Sequence, residues 1–493
     1  MILIIKGHNY KFEMQNICRL FLPFEKILVT DDENAAESAD SETAVASALI
    51  FVDNKGVNLS AALCQGKRRI NAKEIVRTGT DDKEVERRLA VMLYSLFVKH
   101  FNFTLPWGAV TGVRPVKLMR RISDKYGSEQ AAADWLKKHL LVSENKARLC
   151  IETLKTENEI LKLSRPKSFS LYISVPFCPS RCAYCSFVSH TVERAARLIP
   201  DYIEKLCREI EYTGGIARRL GLLLETIYVG GGTPTVLSAA QLARILNAVR
   251  QSFDLSELRE FTVEAGRPDT VEQDKLEVIK SAGTTRISIN PQTLNDDVLK
   301  SIGRRHSADR FFEAFKLARH CGFDNVNADL IAGLPGDDYD GFKFSLEKLI
   351  GLAPESITVH TLAMKRASNF MKNFNGFDGC SQQSVRMVDL SICKLKSAGY
   401  RPYYLYRQSR TIGGTENTGW SKPSCEGLYN VFMMDETHTV LACGAGAVTK
   451  LKQPSGEYIE RIFNYKFPYE YNEQFDDMIQ RKGRVISFYE TLF

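Results

Sequence analysis

The stretch SLYISVPFCPSRCAYCSF, residues 170–187, joins a strand-like apolar run to three closely spaced cysteines. The β-branched and aromatic residues of its first half are typical of a buried strand. Cys178, Cys182 and Cys185 follow at once in a C-x3-C-x2-C pattern. We therefore predict a strand whose carboxyl end carries a short loop of three thiols.

Five further strand-like runs follow, and amphipathic patterns such as AAQLARILNAVRQSF and ADRFFEAFKLARHCGF lie between them. This alternation predicts parallel βα units. Six units make an α/β fold of incomplete, TIM-like (β/α)6 barrel type, with its chemistry at the carboxyl edge of the strands. The five runs are TIYVGGG (226–232), REFTVEAG (259–266), TTRISINPQ (284–292), DNVNADLIAGLP (324–335) and SITVHTLAM (356–364).

The rest of the chain divides around this barrel, which we assign to residues 166–375. In residues 1–105, the runs ILII and ALIFVD and the helical pattern DDKEVERRLAVMLYSLFVKHF predict an N-terminal α/β domain. Residues 106–165 predict a helical linker. In residues 376–493 the alternation stops, and RPYYLYR, YNVFMM, THTVLACG and AVTKLK predict shorter strands before a helical tail. We interpret this last region as a separate α+β accessory domain.

Composition and charge exclude several classes of protein. The 493 residues are 44% hydrophobic and 25% charged, as in globular proteins, and no apolar stretch is long enough to predict a membrane span. The N-terminal MILIIKGHNYKFE lacks the parts of a signal peptide, which predicts a cytoplasmic protein. The net charge of +7 suits an anionic small substrate, and no block of like charges indicates nucleic-acid binding.

The three clustered cysteines indicate a metal centre. A long chain without an export signal should keep its thiols reduced, so a cluster of thiols favours metal over disulfides. Zinc prefers four protein ligands, and His190 could supply the fourth. A 4Fe–4S cluster usually takes four cysteines, so three would leave one iron open to a small molecule. The residues alone leave both metals open.

Glycines and polar side chains mark the ends of the neighbouring strands. Gly230, Gly231 and Gly232 would let a ligand approach the backbone and use its amide and carbonyl groups. Three polar side chains lie in or after the next strand-like runs. Burying a carboxylate or amide in a strand costs free energy unless the group is hydrogen-bonded or has a function. We predict that these side chains, Glu264, Gln292 and Asp329, converge at one mouth of the barrel.

The cysteine pattern, with Tyr184 before the last cysteine, resembles the signature of radical S-adenosylmethionine enzymes. The resemblance implies a 4Fe–4S cluster that binds and cleaves S-adenosylmethionine with an electron from a donor such as flavodoxin or ferredoxin. The order YISVPFC, GGGTPT, VEAGRPD, PQT–GRRH and DLIAGLP is similar to the oxygen-independent coproporphyrinogen III dehydrogenase (oxidase) family, which includes haem-chaperone relatives. WGAVTGVRPVKL, YYLYR and the extra N-terminal unit most resemble its HemZ-type branch.

This resemblance implies roles for matching positions. The cluster ligands would be Cys178, Cys182 and Cys185. The contacts to S-adenosylmethionine would come from Tyr172, Tyr184, Gly231, Gly232, Thr233 and Glu264. In some members a second molecule is bound by the positions matching Gln292, Arg304, Asp329 and Ala363, with a further contact near Val448. Phe187 stands where dehydrogenase members, unlike the haem chaperones, carry another cysteine. The number of S-adenosylmethionine molecules bound, one or two, and the exact reaction therefore stay open.

The resemblance also implies a substrate. It would be coproporphyrinogen III, an anionic tetrapyrrole whose two propionates become vinyl groups in haem biosynthesis. Arginine suits carboxylate binding, and the candidates are Arg267, Arg304, Arg305 and Arg366, with Arg407 from the later region. Two alternatives remain: a radical enzyme acting on another tetrapyrrole, or a haem chaperone of the same fold with an iron ligand among His306, His360 and His438.

Overall fold

The computed structural model describes residues 1–493 apart from 33, 35–39, 41, 186–188, 364–377, 455 and 492–493, and for 378–380 it describes the backbone only. The chain forms two compact units. The first comprises Met1–Glu152, Phe377–Val385 and Tyr406–Glu416. The second comprises Thr153–Gly376, Arg386–Leu405 and Asn417–Phe493.

The first unit contains a five-stranded sheet. Its strands are β1 (Ile2–Lys6), β2 (Leu28–Thr30), β3 (Val45–Asp53), β4 (Gly56–Gln65) and β5 (Arg68–Val76), in the order β2-β1-β3-β4-β5. The pairs β1–β2 and β1–β3 are parallel, and β3, β4 and β5 form an antiparallel meander. Its helices are α1 (Lys11–Phe21), α2 (Asp82–Phe101), α3 (Pro115–Tyr126), α4 (Glu129–Leu140) and the first half of α5 (Glu144–Leu161).

Helix α2 confirms the amphipathic pattern read from the sequence. Leu89, Leu93 and Phe97 recur at a spacing of four residues, which places them on one helical face. All three are fully buried in the core that α2 and α1 form with the sheet. The stretch predicted as a linker is mostly helical, and its residues 106–152 belong to this same unit while 153–165 belong to the second. Trp107 is buried in the first unit, where its indole Nε1 donates to Glu416 Oε2 at 2.7 Å.

The second unit contains an eleven-stranded sheet and a two-stranded one. Its strands are β6 (Ser168–Val175), β7 (Phe177–Cys178), β8 (His190–Thr191), β9 (Leu223–Gly231), β10 (Glu260–Glu264), β11 (Arg286–Ser288), β12 (Val326–Ala332), β13 (Ser356–Thr361), β14 (Arg401–Arg407), β15 (Glu416–Ser421), β16 (Thr439–Cys443), β17 (Val448–Lys452) and β18 (Ile459–Phe463). The outermost residues of β14 and β15 belong to the first unit.

The helices of the second unit lie between and after these strands. They are α6 (Val192–Ala195), α7 (Ile199–Leu220), α8 (Ala239–Ser252), α9 (Gln273–Ser281), α10 (Asp296–Ser301), α11 (Ala308–His320), α12 (Tyr339–Leu352), α13 (Asp378–Ser397), α14 (Leu428–Asp435), α15 (Pro468–Glu473), α16 (Phe475–Lys482) and α17 (Arg484–Glu490). The first part of α13, up to Val385, belongs to the first unit. In the described part of the chain, none of the helices has the length and apolar character needed to cross a bilayer.

The six strand-like runs form the predicted parallel barrel strands. Strands β6, β9, β10, β11, β12 and β13 are neighbours in that order, and each adjacent pair is parallel. Parallel neighbours need a crossover, and amphipathic helices such as α8 provide it. Helix α8 begins with a capping box in which Ser238 and Gln241 satisfy each other's backbone amides. The predicted α/β fold with an incomplete barrel is therefore confirmed.

The strands after residue 376 extend the barrel sheet instead of forming a sheet of their own. Strand β16 pairs in parallel with β6, and antiparallel β17 and β18 follow it. At the other edge, β15 pairs antiparallel with β13, and β14 lies outside it. The physical reason is that the two outer strands of an open six-stranded sheet expose unpaired backbone groups. Among the described residues the sheet ends at β14 and β18, so it stays open.

One element differs in type from its prediction. YNVFMM, expected as a strand, lies within helix α14. A short apolar run carries too little periodicity to separate strand from helix. A tertiary contact decides the outcome, because the carboxylate of Glu260 accepts hydrogen bonds from the backbone amides of Leu428 and Tyr429 and thereby caps the helix.

Candidate functional site

The cysteine loop lies where the first barrel strand ends. Cys178 closes the short strand β7, and Cys182 and Cys185 follow in a loop. Within the described residues none of the three thiols forms a disulfide, and all three are half-buried. The loop is anchored by Ala183, whose amide donates to the carbonyl of Ile302 at 2.9 Å. The three-cysteine loop thus follows the carboxyl end of the first barrel strand, at the edge where parallel α/β folds place their chemistry.

The glycines of β9 allow the cysteine segment to lie directly on the neighbouring strand end. Gly231 has a φ of +108°, which side chains rarely adopt. A Cβ on Gly232 would lie 2.5 Å from the carbonyl oxygen of Phe177. The amides of Gly232 and Thr233 donate to the carbonyls of Val175 and Phe177 at 2.8 and 2.7 Å. These two amides, expected to be open to a ligand, are therefore used to hold the cysteine segment.

Two sulfurs of the loop receive side-chain hydrogen bonds. The hydroxyl of Thr233 donates to Cys178 Sγ at 3.6 Å, and Nη1 of Arg267 donates to Cys182 Sγ at 3.5 Å. Burial raises the pKa of the free Cys178 thiol, and the Thr233 hydrogen bond opposes that rise. Donors of this kind stabilise negative charge on sulfur, as thiolate ligation of a metal requires.

Arg304 ties the loop to two strand ends. Its Nη1 donates to the carbonyls of Gly266 and Asn290 at 3.0 and 2.8 Å, and its Nη2 donates to the hydroxyl of Tyr184 at 3.3 Å. The guanidinium is buried and also lies beside Cys182. Arg304 therefore holds the aromatic residue of the cysteine motif against the carboxyl ends of β10 and β11.

The donor set fits an iron–sulfur cluster. Within the described ranges, no three His, Cys, Asp or Glu side chains are arranged to hold a single metal ion. In a cluster, however, each thiolate binds a different iron, so the three sulfurs need not meet at one point. Three thiols outside any disulfide, with the Thr233 hydroxyl directed at Cys178 and the Arg267 guanidinium at Cys182, suit a negatively charged cluster. His190, the alternative zinc ligand, packs its ring edge-on against Phe467 and Tyr469.

A carboxyl group and stacked aromatic rings form the wall beside the glycines. The hydroxyl of Tyr228 donates to Glu264 Oε1 at 2.5 Å. The ring of Tyr228 stacks on Tyr429 at 4.6 Å, and Tyr172 stacks on Tyr429 at 6.2 Å. Burial raises the pKa of Glu264 to about 7, although the Tyr228 hydrogen bond opposes this. The site therefore holds a carboxyl group that titrates near neutral pH.

The next two strands add an acid, an amide and an imidazole. Asp329 in β12 accepts from Asn327 Nδ2 at 2.7 Å and lies 3.5 Å from His360 Nε2. Burial favours a higher pKa for Asp329, but the hydrogen bonds from His360 and Asn327 and the nearby positive charge together outweigh it and lower the pKa. Gln292 has a φ of +69° and bonds through its backbone to β12. Asp329 thus lies in β12, and Gln292 is paired with that strand through its backbone.

The predicted carboxylate-binding arginines lie in different surroundings. Arg267 and Arg304 are buried in contacts with the cysteine loop, whereas Arg305 is exposed. Arg407 is buried in the first unit, where it bonds to the carbonyl of Val110. Arg366 lies outside the described residues, as does Phe187.

The remaining candidates are distributed along the second unit. Ala363 follows β13 by two residues and is half-buried, and Val448 begins β17. His306 is buried beside Asp269, with its Nδ1 3.8 Å from a carboxylate oxygen, and burial lowers its pKa to about 3. His438 is buried against Phe432 and the hydroxyls of two serines. Of the three histidines, only His360 is partly exposed.

Two features of the site were not expected from the sequence. Tyr228 shares a strand face with Gly230, so the alternation of side chains in TIYVGGG could have identified it. Tyr429 reaches the site from a helix far along the chain from Glu264, and no local pattern points to it. Gly444, after β16, also belongs to this edge, since a Cβ there would lie 2.5 Å from the carbonyl oxygen of Ser174.

Comparison with known proteins defines the class of this fold and site. The profile of the Radical SAM superfamily matches residues 172–349, the span of the cysteine loop and most barrel strands. The solved structure of the coproporphyrinogen III oxidase HemN from Escherichia coli, a radical SAM enzyme, has the same fold. Its TM-score is 0.52 at 22% identity, over 68% of this chain and 73% of that one.

Closer relatives specify the branch. The oxygen-independent coproporphyrinogen-III oxidase-like protein HemZ of Bacillus subtilis is 37% identical over 416 residues, which are 83% of this chain and 82% of that protein. The haem chaperone HemW of the same organism is 31% identical over 310 residues, 61% of this chain and 77% of that one. The chain belongs to the oxygen-independent coproporphyrinogen-III oxidase-like family of radical SAM proteins. Membership implies a 4Fe–4S cluster and S-adenosylmethionine.

Proposed function

We propose that this chain is a radical SAM enzyme that converts propionate side chains of coproporphyrinogen III into vinyl groups without oxygen. The observation that carries the proposal is the three-cysteine loop at the carboxyl edge of the sheet, in a chain that aligns with HemZ over 83% of its length. The product would be protoporphyrinogen IX. An electron donor of the flavodoxin or ferredoxin class would serve the cluster.

The chain's own residues bind and orient the reactants. When bound, a 4Fe–4S cluster on Cys178, Cys182 and Cys185 and an S-adenosylmethionine supply an electron and the radical that removes a substrate hydrogen. Glu264 and Tyr228 would hold the ribose or the amino-acid part of S-adenosylmethionine through their paired carboxyl and hydroxyl groups. A second S-adenosylmethionine beside Gln292, Arg304, Asp329 and Ala363 remains a prediction.

The substrate side requires carboxylate binding and exclusion of water. After a hydrogen atom is removed, the substrate radical loses carbon dioxide and passes one electron to an external one-electron acceptor, and neither step needs a general base. Arg305 is exposed next to Arg304 and makes no ion pair in the described part of the chain, so its guanidinium is open to a propionate. Bidentate hydrogen bonds from arginine are suited to this role. Arg267, by contrast, already has its guanidinium hydrogen-bonded within the protein.

Turnover of the reconstituted full chain tests the proposal. The protein is incubated anaerobically with coproporphyrinogen III, S-adenosylmethionine and a reductant, and Cys182→Ala is the control. We expect carbon dioxide and 5′-deoxyadenosine in proportion to vinyl groups formed, and none from the control. A wild-type protein that holds the cluster and cleaves S-adenosylmethionine but leaves coproporphyrinogen III unchanged would contradict the assigned substrate.

A haem chaperone is the second candidate function. The similarity to HemW and the phenylalanine at position 187 favour it, because the haem-chaperone relatives also lack the additional cysteine. Haem titration of the same preparation separates the two functions. Tight, stoichiometric haem binding without decarboxylation would support the chaperone, and His360→Ala would then test the partly exposed histidine as the iron ligand.

A further inference from the structure

The guanidinium of Arg267 donates several hydrogen bonds to residues of the cysteine loop. Its Nη1 donates to Cys182 Sγ at 3.5 Å and to the carbonyl of Ser180 at 3.3 Å. Its Nη2 donates to the hydroxyl of Ser180 at 2.9 Å. The side chain is only 4% exposed. One charged group thus contacts the middle sulfur of the motif and the backbone that leads to it.

Asp269 completes this arrangement from the other side. Its two carboxylate oxygens accept from Nε and Nη2 of Arg267 at 3.2 and 3.3 Å, which fixes the plane of the guanidinium. Asp269 sits in the turn after β10, two residues from Arg267, and its side chain is 19% exposed. The Arg267 guanidinium therefore contacts the Cys182 sulfur directly, and the Asp269 carboxylate lies behind the guanidinium.

The second guanidinium near Cys182 is held differently. Nη1 of Arg304 is committed to the carbonyls of Gly266 and Asn290. Thr233, which donates to the Cys178 sulfur, is neutral. Arg304 is also charged, buried and hydrogen-bonded to Cys182, but its Nη1 and Nη2 are engaged with two backbone carbonyls and with Tyr184. Arg267 thus supplies a further formal charge that is buried and makes a direct N–H to sulfur contact. These are the properties that set the reduction potential of a thiolate-bound cluster.

We propose that Arg267 is a positioning residue that raises the reduction potential of the cluster, with Asp269 limiting that rise. Reduction adds one negative charge to the cluster. A buried cation hydrogen-bonded to a ligand sulfur stabilises this charge, because screening by water is weak there. The carboxylate of Asp269 opposes it. This inference rests on the cluster site proposed above, but not on the identity of the substrate.

The test is a potentiometric titration of the reconstituted full-chain protein, followed by electron paramagnetic resonance of the reduced cluster. Arg267→Gln removes the charge, and Arg267→Lys keeps the charge with a different hydrogen-bonding geometry. Asp269→Asn removes the opposing anion. The control is Arg181→Gln, an exposed arginine of the same loop with no sulfur contact in the described part of the chain. Iron and sulfide content are measured for every variant.

We expect shifts of opposite sign. In Arg267→Gln the ratio of reduced to oxidised cluster at a fixed potential should fall about tenfold, which corresponds to about 59 mV for one electron. In Asp269→Asn the ratio should rise. The ratio in Arg267→Lys should lie between those of wild type and Arg267→Gln. In Arg181→Gln the ratio should stay near the wild-type value, because solvent screens the charge of Arg181.

Each outcome decides between explanations. Equal potentials in wild type, Arg267→Gln and Asp269→Asn would overturn the inference. If Arg267→Gln fails to assemble a cluster, the sign of the change in reduction potential in Asp269→Asn decides alone. A lower or unchanged potential in that variant would refute the proposal that the pair tunes the cluster. Absence of any cluster from the wild-type protein would instead refute the proposed site.

Discussion

At the scale of single residues, the site is defined by polar groups whose partners change their chemistry. Glu264 is the clearest case, because burial raises its pKa to about 7 while Tyr228 donates a hydrogen bond to it. A half-buried carboxyl group that can be neutral near pH 7 can donate as well as accept hydrogen bonds. Such perturbed groups are typical of functional sites.

Replacement of Glu264 by glutamine tests this raised pKa. The folded pKa lies above the unfolded value near 4.5, so the contribution of Glu264 to stability is full at low pH and is lost as pH rises toward 7. Relative to Glu264→Gln, the wild-type apo protein should lose about 2 kcal/mol of unfolding free energy between pH 5 and pH 8. Urea unfolding at several pH values measures this difference.

The companion variant Tyr228→Phe provides the control. It removes the hydrogen bond that favours the ionised carboxylate, so the folded pKa should rise and the stability loss should extend to higher pH, while its lower limit near the unfolded pKa stays unchanged. Parallel pH–stability curves for wild type and Glu264→Gln would show that the pKa of Glu264 is not raised in the folded protein.

At the scale of elements, the end of β9 shows why glycine is needed beside the cysteine segment. A Cβ on Gly232 would lie within 2.9 Å of three backbone atoms of Phe177, which cannot move like the tip of a side chain. Gly232 and Thr233 also bond that segment through their amides. The glycine run thus positions Cys178 as well as bordering the expected cofactor.

Gly232→Ala should therefore displace the cysteine segment. We expect a loss of about 1–3 kcal/mol in stability from overpacking, together with a reduced iron content after reconstitution. Gly215→Ala is the matched control, because that glycine lies inside α7 and a methyl group added there would meet nothing within 4 Å. There alanine should stabilise the protein by about 0.5–1 kcal/mol. Iron content equal to wild type in Gly232→Ala would argue against this role.

At the scale of the second unit, the C-terminal helices are joined to the barrel through a buried ion pair. Lys482 of α16 lies 2.9 Å from Glu209 of α7, and both side chains are almost fully buried. Glu209 also accepts from the amide of Gly444 and the hydroxyl of Tyr471. The pair therefore connects the C-terminal tail to the loop at the carboxyl edge of the sheet.

Loss of Lys482 should be costly. Lys482→Ala leaves Glu209 buried without its counter-charge, which should cost about 3–5 kcal/mol. Arg219 forms an exposed pair with Glu490 on the same unit, and Arg219→Ala should cost at most about 1 kcal/mol. Denaturant unfolding of both variants measures the contrast. An equally small loss of unfolding free energy in both variants would mean that the other hydrogen bonds of Glu209 are sufficient to stabilise its buried charge.

Local sequence was sufficient to predict the six barrel strands, the crossover helices, the cysteine loop and the motifs that indicate the family. These features depend on periodicity and short spacings, which neighbouring residues encode. The folded chain was needed to show that β15 and β16 join the barrel sheet, that YNVFMM is helical and that Tyr429 reaches Tyr228. It was also needed to show that Arg267 is directed at a sulfur rather than at solvent. Pairing of distant strands and burial of a charge depend on which groups meet in space, and no local pattern records that.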